Sequence, residues 1–391
     1  MSAVQKKDVA VIGAGIAGAS AAFALSQQGV DAVLIERDHP ASGPTGTSSA
    51  VCHLFYTEPE LSLLARRGCD LLKAVPEITN HPHPVFHEVG MLWACGANNE
   101  TVWRESAIRI RDGEGGGIEL LSPDDMAPMA PGFAMDQIVL ALWEEDYGYA
   151  DPYDATNAFA SAAKAAGVEV KQQARVHDLE IAGGKVTGLS LDNGDRLAVD
   201  TVICAMGPWT GPFIEAQTGA ALPVHIERHA MAVLDSGSAT LDILPFAWCD
   251  DINAHYARPE RDHSILIGTW AGGGTGVRND EAERPDSHDD PNNFDNGSSQ
   301  DESVWIVEQA LPRLPALAEF GIKPGYACLY DMSPDDLPVV DHVPGIDGLI
   351  VVAGSSGHGF KLGPAIGEEA VRLATTGASD LLAPFSLERF N

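Results

Sequence analysis

The chain has 391 residues and is 45% hydrophobic, so it has room for two domains and a sizeable core. Its formal net charge of −32 argues against nucleic acid and anionic membranes as partners, and no stretch is long and apolar enough to span a bilayer as a helix. The six cysteines are scattered without C-x-x-C spacing, which predicts reduced thiols and a cytoplasmic protein.

The first elements lie between Asp8 and Asp38. Asp8–Ile12 is a valine-rich apolar run, and Gly13, Gly15 and Gly18 form G-x-G-x-x-G. Ala19–Gln28 is a good helix former, and Val30–Ile35 is a second apolar strand with Glu36 at its tip. Gly13 permits the tight turn, Gly15 lets the backbone approach a pyrophosphate, and Gly18 lets helix and strand pack closely. The free amides of the helix then face the phosphates, and Glu36 accepts from the ribose hydroxyls. An acid at this place disfavours a 2′-phosphate and so argues against NADP, while NAD and FAD both stay open. Val9–Leu25 follows Lys6 and Lys7 and imitates a leader peptide, but the glycine register favours the nucleotide fold.

After Asp38 a Gly-, Ser-, Thr- and Pro-rich loop runs along the dinucleotide, before a helix over Pro59–Ala74. His81–His87 has the look of a metal site but reads as a proline-rich surface turn. Val89–Cys95 is a strand, Thr101–Arg111 a helix, and Ser122–Met129 a helical turn. Asp154 caps a helix within Asp151–Gly167. Short strands follow to Asp192. Thr201–Ala205 is a buried strand that returns the chain to the nucleotide at Gly207 and Trp209. His225–Leu234 and Ser264–Trp270 are strands of a second, antiparallel sheet. Arg278–Ser303 reads as an exposed acidic loop, and Val304–Leu311 as a helix. Leu349–Ala353 is the last strand. It leads into a second glycine turn, Gly354–Phe360, and a final helix over Gly363–Thr376, with Lys361 just ahead of it. A helix N-terminus there suits the negative charge of a reduced flavin.

Two stretches resemble a known family. CLYDMSPDDLPVVDHVPG (Cys328–Gly345) and GSSGHGFKLGPAIGE (Gly354–Glu368) look like the C-terminal region of the D-amino-acid oxidase superfamily. The branch they resemble most is that of monomeric sarcosine oxidase and the N-methyl amino acid oxidases, with glycine oxidase nearby. The G-x-T-G loop at Gly43–Gly46, Tyr149–Pro152 and Ala205–Trp209 extend the resemblance, which is weakest from Pro212 to Lys323. It implies an α/β fold. A Rossmann-type FAD-binding domain (1–76, 151–215 and 325–391) joins a substrate domain on a mainly antiparallel β-sheet (77–150 and 216–324).

The implied reaction is FAD-dependent oxidation of a C–N bond in a secondary or primary amino acid, by hydride transfer to the flavin. The resulting imine is hydrolysed by water. Lys361 matches the lysine that holds the substrate carboxylate, and Tyr330 matches a pocket aromatic. Cys328 matches the cysteine that carries FAD covalently in sarcosine oxidase; a plain buried thiol is the other reading. Motif and resemblance together assign the cofactor contacts. At the N-terminal end these are Gly13, Gly15, Ile16, Ala17, Gly18, Glu36, Arg37, Thr45, Gly46, Ser48 and Ser49. Later in the chain they are Val176, Ala205, Gly207, Trp209, Cys328, Gly354, Gly357, His358, Gly359, Phe360 and Lys361.

Three departures stand out. His53 takes the place of a carboxylate-clamping arginine, Leu266 that of the oxygen-activating lysine, and Trp270 that of a histidine. They point to an unusual carboxylate site and leave O2 or a quinone-type compound as the electron acceptor. Hydride loss requires a neutral amine, and His53 and His358 are the candidate bases. Arg228, His229, His255, Tyr256 and Arg258 are candidates for replacement contacts. Two other readings keep the fold: a 2-hydroxy acid dehydrogenase, and an FAD-binding subunit of a multi-chain dehydrogenase.

Overall fold

The computed structural model describes residues 5–237, 244–260, 263–270, 287–288 and 290–390. Its first strand, Gln5–Ile12, is flanked in parallel by Ala32–Ile35 and by Arg196–Cys204. All four residues of Ala32–Ile35 are buried, as are the last four of Gln5–Ile12, which explains runs of Val, Ile and Ala without polar alternation. Arg196–Cys204 changes partner along its length. Arg196 and Leu197 pair with the hairpin strand Lys185–Leu191, whereas Val202–Cys204 pair with Leu349–Val351. The result is an eight-stranded sheet that holds both glycine turns at its strand ends.

Helices cover this sheet. Ile16–Gln27 packs against both Pro152–Ala165 and the C-terminal helix Gly359–Thr376. The cap of Pro152–Ala165 is Asp151, whose carboxylate accepts from the Asp154 amide, so the capping role expected of Asp154 belongs to its neighbour. The C-terminal helix starts at Gly359, four residues earlier than expected, and places Lys361 in its first turn. Pro364 lies inside the helix. Its ring supplies no N–H to the Phe360 carbonyl, so the helix runs through this position without that bond.

The second sheet has ten strands and is mainly antiparallel. Its centre is His225–Asp235, paired with Gly321–Met332 on one side and Ser264–Thr269 on the other. Early chain segments join through Met91–Cys95, which runs parallel to Ala247–Asp250. The expected domain boundary at 325 falls inside Gly321–Met332, which belongs to this second sheet throughout. A three-stranded sheet of Val51–Cys52, Gly148–Ala150 and Phe86–His87 stands apart from both larger sheets.

Behind the second sheet, Arg313 and Asp250 form a fully buried ion pair at 2.5 Å. Breaking such a pair by removing one partner costs about 3–5 kcal/mol. Part of the segment expected to be an exposed loop is ordered structure. Gln300–Ala310 is a helix with a capping box between Ser299 and Glu302, the S-x-x-E signal of its sequence. Residues 278–286 and 289 of that segment lie outside the described residues. The His81–His83 stretch is an exposed bend, and among the described residues no group of three or more ligating side chains could hold a metal. No described helix is long and apolar enough to cross a membrane.

Candidate active site

A cavity of about 530 Å³ runs from Glu36 and Arg37 past both glycine turns to Tyr330 and Phe360. Its wall is largely backbone. Gly13 has φ +96°, and a Cβ there would lie 2.4 Å from the Ala205 carbonyl oxygen, so only glycine lets the two strand ends meet. The Ile16 amide donates to the Thr45 hydroxyl at 3.2 Å, tying the expected loop to the helix start. Glu36 accepts from the amides of Ala14 (2.8 Å) and Asp38 (2.9 Å). It therefore builds the turn, and its remaining lone pairs face the cavity.

The helices Ile16–Gln27 and Gly359–Thr376 have no acidic residue in their first turns, in a chain carrying 56 acids. Their positive ends are left for a ligand's negative charge. An elongated groove with two such termini, a glycine cradle and a buried acid at one end fits a flavin dinucleotide.

Most expected cofactor contacts line this cavity: Gly13, Gly15, Ile16, Ala17, Glu36, Arg37, Thr45, Ser48, Val176, Ala205, Gly207, Trp209, Cys328, Gly357, Gly359 and Phe360. Six stand elsewhere. Gly18 packs its helix against the Gly13 carbonyl, Gly46 packs against Ala41, and Gly354 packs against Val339 and Ser333. Ser49, His358 and Lys361 line a second, adjoining cavity. Asp290–Asn292, which no sequence motif marks, also line the large cavity. Asn292 accepts from Trp209 Nε1 (2.8 Å) and Arg37 Nη1 (3.2 Å), and the Arg37 guanidinium stacks 4.0 Å over the Trp209 ring. Cys328 is a buried thiol on the cavity wall, and burial pushes it up to about 12.

The second cavity has a volume of about 120 Å³ and shares Ser48, Tyr330, Gly357 and Phe360 with the first. Gly357 has φ +79°, and a Cβ there would come within 2.7 Å of the Tyr330 ring, so the glycine sets how closely the loop approaches this aromatic. The other walls carry His53, Tyr56, Trp93, Glu227, His229, Tyr256, Trp270 and Lys361. Lys361 is 5% exposed, and its Nζ lies 5.5 Å from the Tyr56 ring centroid. Burial lowers its pKa, opposed by Cys52, Cys69, Cys249 and Glu144. Among the described residues, no carboxylate stands within ion-pair distance of it.

His358 Nδ1 is 3.0 Å from the Tyr56 hydroxyl, and burial followed by the charge of Lys361 pushes the imidazole down to about 3. His53 is buried against Tyr56 and Trp93, both ring centroids at 4.8 Å, with Nδ1 unpaired. Burial, then Lys361, holds its pKa well below the ordinary value. Both rings are thus neutral near pH 7, so His53 supplies no positive charge to a carboxylate. Behind them Glu144 accepts from the amides of Leu54 and Phe55 and from Trp93 Nε1, and burial pushes it up to about 7. Leu266 is buried, and its cross-strand neighbour Arg258 is ion-paired with Glu260 at 2.6 Å and donates to the Ser49 carbonyl.

Residues 8–373 match a family model described as FAD dependent oxidoreductase (DAO). The chain is 25% identical to monomeric sarcosine oxidase of Bacillus sp. (strain B-0618), over 98% of this chain and 96% of that protein. It is 24% identical to N-methyl-L-tryptophan oxidase of Escherichia coli, over 98% and 100%. Among solved structures, the fold is similar to L-proline dehydrogenase from P. horikoshii, with a TM-score of 0.86 at 22% identity, covering 99% of this chain and 98% of that one. Glycine oxidase from Geobacillus kaustophilus gives 0.79 at 22% identity, covering 98% and 99%.

Proposed function

The chain belongs to the DAO family of FAD-dependent oxidoreductases, and from that premise we propose that it oxidises the C–N bond of a secondary or primary amino acid. The product is an imine, which water hydrolyses. When bound, FAD supplies the acceptor for the hydride leaving the carbon next to nitrogen. The chain's own residues bind, orient and desolvate. The two glycine turns and Glu36 hold the cofactor in the large cavity, and the small cavity at its end takes the substrate.

Lys361 carries this reading. A buried ammonium with no carboxylate partner among the described residues is costly to keep unless a ligand brings the negative charge. A substrate carboxylate does so and fixes the reacting carbon at the junction of the two cavities, lined by Tyr330 and Gly357. Sarcosine, N-methyl-tryptophan and glycine, named for the relatives, all carry such a carboxylate. Lys361→Ala should raise KM about a hundredfold, the loss of a charge-assisted contact of about 3 kcal/mol. Flavin bleaching across an amino acid panel measures it, and an unchanged KM removes the assignment. A 2-hydroxy acid would satisfy Lys361 equally; release of ammonia or an amine separates the two substrate classes.

A covalent flavin link through Cys328 is supported by the place of this residue on the wall of the cofactor cavity. Acid-denatured protein should then keep its yellow colour, and Cys328→Ser should release it. The electron acceptor is O2 or a quinone-type compound. With Leu266 buried and Arg258 neutralised by Glu260, slow reoxidation in air is expected of the reduced enzyme.

A further inference from the structure

The second cavity contains one carboxylate–imidazole cluster that the reading above leaves unused. His225, Glu227 and His229 alternate along the central strand of the ten-stranded sheet. Period-2 geometry puts all three side chains on one face. Glu227 Oε1 is 2.8 Å from His225 Nε2, and Glu227 Oε2 is 3.2 Å from His229 Nε2. Glu227 and His229 line the small cavity, whereas the His225 side chain is 51% exposed. The His229 ring is stacked on Tyr330 with centroids 3.9 Å apart, which fixes its plane at the junction of the two cavities.

Hydrogen-bond accounting sets the tautomer. An ionised carboxylate only accepts, so each neutral imidazole must carry its proton on Nε2 to bond Glu227. The lone pair of His229 then resides on Nδ1. This ring differs from the other two imidazoles of the cavity. His53 and His358 are disfavoured as cations by burial and by Lys361. His229 has the Glu227 carboxylate in contact instead.

We propose that His229, held by Glu227, is the base that accepts the proton of the substrate ammonium, an assignment that rests on the amino acid reading above. The N–H bond breaks and its electron pair stays on nitrogen as the lone pair that assists hydride loss. The proton bonds to Nδ1, and the imidazolium formed pairs with Glu227. Lys361 stays a carboxylate contact with no part in proton transfer, and Glu227 acts as a positioning residue.

The charged and titratable groups that face this ring come from several elements. On its own strand these are Glu227 and His225. On the paired strand Gly321–Met332 they are Tyr330 and Cys328, whose thiol points to the His229 carbonyl. Across the cavity stand Tyr256, His53, Tyr56, His358 and Lys361. Glu227 provides the negative charge among them that touches the ring.

The test is the pH dependence of flavin reduction at saturating substrate, by stopped flow on the holoenzyme, with sarcosine, glycine and proline as probes. The general base should be worth about a hundredfold near pH 7, so His229→Gln should slow reduction by that factor there and by far less near pH 10, where a large share of the free amine is already neutral. Glu227→Gln should likewise slow reduction more near pH 7 than near pH 10 while leaving the flavin spectrum intact. Lys361→Ala should weaken substrate binding without changing that pH dependence. A His229→Gln or Glu227→Gln enzyme that binds FAD and keeps the wild-type profile overturns the assignment. Absence of bleaching by any amino acid overturns the substrate reading, and this base with it.

Discussion

The two cavities are built in different ways. The cofactor cavity is shaped mostly by main chain: glycines at strand ends, helix amides, and a glutamate spent on two backbone amides. The substrate cavity is shaped by side chains, three imidazoles and several aromatic rings, with one ammonium and one carboxylate. A backbone wall tolerates no added atom but depends little on any single side chain. A side-chain wall is sensitive to each charge and its neighbours, and that is where specificity can change while the fold stays.

The contrast can be broken or sharpened by substitution. The largest effect should come from one methyl group on the backbone wall. Gly13→Ala places a carbon 2.4 Å from the Ala205 oxygen at φ +96°, at a cost of roughly 3 kcal/mol or more. The purified variant should be colourless; a variant that still holds FAD would mean that the strand ends separate readily.

A middle-sized effect should appear behind the side-chain wall, at His255. This ring is fully buried, its Nε2 accepts from Trp248 Nε1 at 2.9 Å, and burial pushes it down to about 4 from an ordinary 6.5. Below pH 6.5 the unfolded chain takes up a proton there, and the folded protein does not until about pH 4. The contribution of the neutral ring is therefore lost as pH falls through that window. Between pH 7 and pH 5 wild type should lose about 2 kcal/mol more than His255→Gln. Urea unfolding at the two pH values reads the difference, and equal losses would place the acid lability elsewhere.

The smallest effect should follow removal of a side chain from the cofactor wall. In the Cys328→Ser protein, where no covalent link can hold the flavin, Asn292→Ala loses the bonds to Trp209 and Arg37, worth about 1 kcal/mol, so FAD should dissociate about fivefold faster. A much larger change would make the first cavity as dependent on side chains as the second.

The same contrast explains what could be read in the sequence. Gly13, Gly15 and Glu36 fall within one strand–turn–helix–strand unit, where spacing alone dictates geometry, and the second turn with Lys361 is equally local. The partners Arg37 and Asn292 are 255 positions apart, and Glu144 reaches the Leu54 amide across 90. Each pairing exists only because the sheets bring distant strands together. Nothing local in the sequence singles out Glu227; it joins the site because Gly321–Met332 sets Tyr330 opposite it. His53 was legible as a departure from its relatives, but its neutrality was not, since that depends on Lys361 and on burial by Tyr56 and Trp93.

Both cavities wait for the segment from Leu349 to Thr376. Leu349–Ala353 completes the first sheet against Arg196–Cys204. The helix that follows supplies the second glycine wall and Lys361 while packing on Ile16–Gln27. A nascent chain that has emerged as far as residue 340 holds nearly all of the second sheet, yet it has neither a closed cofactor groove nor a substrate anchor. Cofactor loading thus follows the docking of Leu349–Ala353 and of the helix Gly359–Thr376 onto the N-terminal unit.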